Sequence, residues 1–190
     1  LYIVNNKENG KVDPFMSCYG ATMRTEGEGN NEIIWFRPKG NYGDWEQHGT
    51  PRGCGGNGGL GVTQSLVDAF FMKNGLPITD DNAEYVEGGF STEKEIRVTE
   101  WTGGTGQKGE VTAEGTYNMY CNREPRFYAS VAFNGAFWAL ASAQDGDRRN
   151  QQVWYYRGSD NGRKNSSDYW IPTGIGVMKF VSPNDCNTNN

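Results

Sequence analysis

Between Arg37 and Gly61 the chain sets Tyr42, Trp45 and His48 among Arg37, Asn41, Asp44 and Gln47. These residue types suit carbohydrate recognition. The C–H face of a sugar carries partial positive charge and favours the negative face of an aromatic ring. The planar groups of Asn, Asp, Gln and Arg form paired hydrogen bonds to vicinal hydroxyls. Tyr42, Trp45, Asn41 and Arg37 are therefore the expected ligand-binding residues. Trp101, at a strand end before Thr102-Gly103-Gly104, is a candidate second platform. The competing role for each ring is packing, since Trp is mostly buried on average. Trp35, on a strand, reads as core.

Other chemistries have weaker support. Glycoside hydrolysis needs two carboxyls facing each other across the bond. Asp44 with Glu46, Asp80 with Asp81, and Glu93 with Glu95 are near neighbours in sequence, which does not specify that arrangement. Gly56-Asn-Gly58-Gly-Leu-Gly61 matches G-x-G-x-x-G, but Thr50-Pro51-Arg52-Gly53 ahead of it is no buried strand, as a dinucleotide site requires. His48 is the single histidine. A zinc site is therefore not expected, and a Ser-His-Asp triad lacks its nucleophile elbow. Asp80, Asp81 and Asn82 offer oxygens to calcium without EF-hand spacing. No cofactor and no catalytic residue is expected.

Composition narrows the class further. The chain has 190 residues, 27 of them Gly, 13% aromatic, with a net charge of −5. Mean hydropathy is −0.76. Such a chain is largely loop, with aromatic side chains as its main apolar material. It has no basic run longer than two residues, so nucleic acid is not an expected partner. No window approaches the ~18 apolar residues of a membrane span. Cys18, Cys54, Cys121 and Cys186 are widely spaced, and both free buried thiols and disulfides fit them.

The elements that must position these residues are short. Glu32–Phe36 reads as a strand, and Arg37–Gly61 as almost all loop. Thr63–Asn74 is the best helix: Thr63 is an N-cap, Leu66, Val67, Phe70 and Phe71 share a face, and Gly75 and Pro77 stop it. Residues 95–101, 110–120, 153–156 and 176–181 read as strands. Phe127, Ala129, Val131 and Phe133 alternate with Tyr128, Ser130 and Ala132, the period of a half-buried strand. Asn134-Gly135 then predicts a two-residue hairpin turn. Arg123 and Arg126, flanking Glu124-Pro125, read as ion pairing and backbone capping. The fold class is α+β, loop-rich, with few helices and short antiparallel strands.

Four blocks carry a family resemblance: Asn31–Phe36, Thr63–Gly75, Tyr120–Trp138 and Thr173–Pro183. Together they resemble the SusD/RagB family of glycan-capturing lipoproteins on the outer surface of Bacteroidetes cells. The resemblance implies a non-catalytic protein that binds oligosaccharide or polysaccharide. It would deliver them to a TonB-dependent transporter of SusC type in the outer membrane. Membrane attachment would be through an N-terminal lipid anchor outside this chain. The blocks match the family's non-repeat subdomain, and the tetratricopeptide-type helices of the family are absent. Residues 1–190 are thus expected to form a single subdomain of a longer chain. The alternatives are a glycoside hydrolase or lyase, and a transporter- or peptide-interaction module without sugar binding.

Overall fold

The computed structural model describes residues 5, 10–12, 14, 17, 18, 34, 42–96, 110–138, 151–163 and 170–179. Arg37, Asn41, Trp101, Trp35, Cys186 and most of the Glu32–Phe36 segment lie outside them.

Among the described residues the helices are short and the strands shorter. Helix α1 spans Tyr42–Gly49, α2 Gln64–Ala69 and α3 Pro125–Ser130. Strands β1 (Glu95–Ile96) and β2 (Glu110–Thr112) pair antiparallel. Strand β3 (Val131–Ala132) pairs with β6 (Gly176–Val177), and β4 (Ala136–Trp138) with β5 (Gln151–Val153), both antiparallel. This agrees with the α+β expectation of few helices and short antiparallel strands.

Three local expectations are corrected. Residues 127–130 are helical, not extended, because Pro125 sits at the helix start, where its fixed φ and missing N–H cost nothing. Phe127, Tyr128 and Ala129 are all buried. The apparent period of two therefore did not mark a face. Residues 42–49, expected as loop, form α1, with Asp44 in the first turn and His48 in the last, the polarity that suits a helix dipole. The Asn134-Gly135 turn is real, with Ala136 N–H donating to the Phe133 carbonyl at 2.9 Å. Only Gly135 takes positive φ (86°), however, and the strands on either side pair elsewhere rather than with each other.

Helix α2 begins as expected and ends early. Thr63 Oγ1 accepts from Leu66 N–H at 3.3 Å. The backbone turns extended at Phe70. The cause is Arg123, which is fully buried. Its Nη2 donates to the carbonyls of Val67 and, at 2.8 Å, Phe70, and its Nη1 to Met119 O at 3.2 Å. The last carbonyls of a helix need outside donors, and a guanidinium supplies several in one plane. Its charged centre lies 5.1 Å from the Phe127 ring centroid and 5.8 Å from that of Tyr85. Burial lowers the Arg123 pKa, and Tyr85 acts in the opposite direction. Next to it Arg126 pairs with Glu124 at 2.8 Å.

The core gathers around stacked rings. Tyr120 and Phe133 stack at 4.7 Å and 14°, and Phe127 and Phe133 at 5.6 Å and 14°. Val67, Val131, Val153 and Trp138 close around them. Among the described cysteines, Cys18, Cys54 and Cys121, no disulfide joins one to another.

Candidate functional site

Strand β5 leads out of the core into residues 154–163, and there the chain presents aromatic rings to solvent. Along Val153–Tyr156 the side chains alternate. Val153 and Tyr155 are buried, whereas Trp154 is 39% and Tyr156 60% exposed. Strand β5 ends at Val153, and the two exposed rings just beyond it are neighbours. Their centroids are 6.1 Å apart, with planes at 61°.

Three local devices hold this edge in place. Asn134 Oδ1 accepts from Tyr155 N–H at 2.6 Å, fixing the strand exit to the Asn134-Gly135 turn. Gly135 lies under the Trp154 ring, where a Cβ would come within 3.3 Å of Cη2. Ser159 Oγ lies 2.6 Å from the Trp154 carbonyl oxygen and 2.7 Å from that of Tyr156, and it accepts from Gly162 N–H at 3.1 Å. The loop is so tight at Gly162 that a Cβ there would stand 1.9 Å from the Tyr156 carbonyl oxygen. Glycine is the one residue that allows this approach.

Beside the rings is a cleft of about 270 Å³, lined by Gln151, Gln152, Trp154, Tyr156, Asp160 and Asn161, with Gly53, Gly158 and Ser159 in its walls. Each amide is anchored at one end. Gln151 Nε2 donates to Gly53 O at 3.4 Å and to Cys54 Sγ at 2.8 Å. Gln152 Nε2 donates to Gly135 O at 3.1 Å, and Asn161 Oδ1 accepts from Gly53 N–H at 2.7 Å. The opposite ends, two carbonyl oxygens and one NH₂, have no partner among the described residues. A wall of anchored acceptors and donors beside flat rings suits a polyhydroxylated ligand, whose hydroxyls both donate and accept.

Of the residues expected from the sequence, the two described ones, Tyr42 and Trp45, are not among those lining this cleft. Trp45 is on α1, 39% exposed, and its indole N–H donates to the Lys179 carbonyl at 3.2 Å. Tyr42 opens the same helix. Arg37, Asn41 and Trp101 lie outside the described residues. Asp80 Oδ1 accepts from Asn82 N–H at 2.8 Å, closing a local turn. In the Gly56–Gly61 run, Gly58 and Gly59 take positive φ, and Gly61 bridges to Gly176 rather than opening a phosphate loop. Among the described residues, no group of three or more His, Cys, Asp or Glu is placed to hold a metal.

Sequence reasoning expected a strand over 153–156, whereas the strand is Gln151–Val153 and only Val153 is shared; Trp154 and Tyr156 were passed over as ligand contacts. The signal was available in the Val-Trp-Tyr-Tyr alternation. Gly53 and Asn161, which complete the cleft, are far apart in sequence and leave no such signal.

Comparison with known proteins places the chain. A model of the SusD family matches residues 15–190. A SusD-like protein from Bacteroides fragilis superposes with a TM-score of 0.54 at 23% identity, covering 94% of this chain and 30% of that one. BT4246, in its selenomethionine form, superposes with a TM-score of 0.53 at 23% identity, covering 96% of this chain and 31% of that one. The chain thus spans about a third of the length of these solved structures. No curated protein matches.

Proposed function

The chain belongs to the SusD family, and from that premise we propose that it is part of a non-catalytic glycan-binding protein at the outer surface of the cell. The observation that carries this reading is the exposed Trp154–Tyr156 pair at the rim of a cleft walled by anchored amides. A sugar ring stacks on an indole face, and its hydroxyls reach the free ends of Gln151, Gln152 and Asn161. Of the described residues lining the cleft, Asp160 alone is a carboxylate, whereas glycoside hydrolysis uses a facing pair. That supports capture rather than cleavage. The captured oligosaccharide would pass to a TonB-dependent transporter of SusC type, with a lipid anchor outside this chain holding the protein at the membrane. No helix of the described residues is long and apolar enough to cross a membrane. Trp45 and Tyr42, with Arg37, Asn41 and Trp101, form a second proposed contact surface.

Binding by a shallow cleft is weak and reversible, because exposed hydrogen bonds compete with water and little ligand area is buried. Isothermal titration of the full-length protein against plant and host glycans tests the reading. At least one glycan should bind, and Trp154→Ala should weaken it about tenfold, the loss of ~1.4 kcal/mol. A flat response to every glycan overturns the proposal.

A further inference from the structure

Alternate residues of the same exit segment, Tyr155 and Arg157, line a second cleft of about 500 Å³, together with Arg163, Trp170, Pro172 and Thr173. The loop that separates the two clefts is closed by Gly158 N–H donating to Arg163 O at 3.1 Å, which brings the backbone of residues 157–158 against that of Arg163. Arg157 and Arg163 both line this cleft. The charged centre of Arg163 lies 5.3 Å from the Trp170 ring centroid. A cation–π contact positions the group without consuming its N–H donors. Neither Arg157 nor Arg163 has a carboxylate partner among the described residues, and the described lining holds no Asp or Glu. In a chain of net charge −5 this is a local reversal of sign. Tyr155 is the buried floor residue of this cleft, its hydroxyl packed against Gly176.

We infer that this cleft binds the anionic substituent, a carboxylate or sulfate, of an acidic glycan, with Arg157 and Arg163 as the anion contacts and Trp170 as the platform beside them. The inference rests on the glycan-binding reading and narrows it to a class of sugar. Guanidinium forks match both oxyanions, which is the geometric reason to expect Arg rather than Lys in this role.

The test uses the full-length protein and matched pairs of probes: tetragalacturonate against its methyl ester, and dextran sulfate against dextran. Isothermal titration should show the charged member of at least one pair binding about tenfold more tightly than its neutral partner, a preference that shrinks as salt is raised. The pair that responds identifies carboxylate or sulfate as the group read. The double substitution Arg157→Gln with Arg163→Gln should reduce charged and neutral affinities to the same value, with an unchanged circular dichroism spectrum. Trp154→Ala should weaken both members of a pair alike. If neutral glycans bind but no charged probe is preferred, or the preference survives the double substitution, the inference is overturned while the glycan-binding reading stands. If no saccharide binds, charged or neutral, the glycan-binding reading falls and takes this inference with it.

Discussion

Two groups of aromatic rings divide the molecule. Tyr120, Phe127 and Phe133 stack nearly parallel in the core, sealed by Arg123. Trp154 and Tyr156 stand edge to face at the surface, over a glycine turn and a serine-stapled loop. The chemistry of the rings is much the same, but what surrounds them differs. In the core the Arg123 guanidinium and the Tyr128 hydroxyl are directed at backbone carbonyls. At the surface the amides are tethered at one end and open at the other. Ring content alone does not separate a core from a landing surface, and the commitment of nearby polar groups does.

The largest effect should come from opening the buried stack. Phe133→Ala removes a ring that is 1% exposed, and such deletions cost about 3–5 kcal/mol. Urea denaturation should show that loss, with glycan affinity unchanged in the fraction that remains folded. A smaller loss would mean that the rings are not jointly packed.

Arg123→Met tests the seal next. Methionine keeps much of the volume but leaves the carbonyls of Val67, Phe70 and Met119 without their donor. Hydrogen bonds from charged groups are worth about 1.5–3 kcal/mol, offset in part by no longer burying a charge. A net loss of ~2 kcal/mol is expected, again without effect on binding. An equal or greater stability in the methionine variant would show that the arginine specifies the end of α2 without stabilising the fold.

At the surface the order reverses. Trp154→Ala should leave the denaturation midpoint nearly unmoved and weaken glycan binding about tenfold. Trp45→Ala is the matched comparison, because both indoles are 39% exposed. Trp45 differs in spending its N–H on the Lys179 carbonyl. Weaker binding after Trp154→Ala but not Trp45→Ala would locate capture at the 154–163 edge. The opposite pattern would move it to α1.

What could be read from the sequence follows the range of the interactions involved. The Thr63 cap and the Glu124–Arg126 pair operate over two or three residues, and both were legible. Of the family blocks, Tyr120–Trp138 carries core rings and Thr63–Gly75 packs Val67 and Phe70 against them. Helix α3 was not legible, since the burial of both Phe127 and Tyr128 depends on what packs against them. Nor was the early end of α2, which is set by an arginine more than fifty residues away. The cleft was half legible: the buried-exposed alternation of its rim shows in the Val153–Tyr156 pattern although the strand itself ends at Val153, while its polar wall needs Gly53 and Asn161 brought together by the fold.

The finest test of the core's sealed character is its thiol. Cys121 is buried, and its Sγ faces the Tyr117 carbonyl oxygen at 3.7 Å. Burial, and then the charge of Glu95, push its pKa from 9.0 up to about 11. The folded state therefore holds this proton more tightly than the unfolded chain does. The stability linked to the thiol is fully present below about pH 9 and is lost as pH rises toward 11. Tyr85, Tyr120 and Tyr155, whose phenols burial also raises, act in the same direction and remain in any cysteine variant. Urea midpoints taken at about pH 8 and about pH 10 should thus fall for both the wild type and Cys121→Ser, and fall further for the wild type. Alkylation should be slow at the lower pH, because the thiolate is the reacting species. Equal drops in the two midpoints, with rapid alkylation, would place Cys121 in contact with water and remove the contrast between a sealed interior and an open edge at this position.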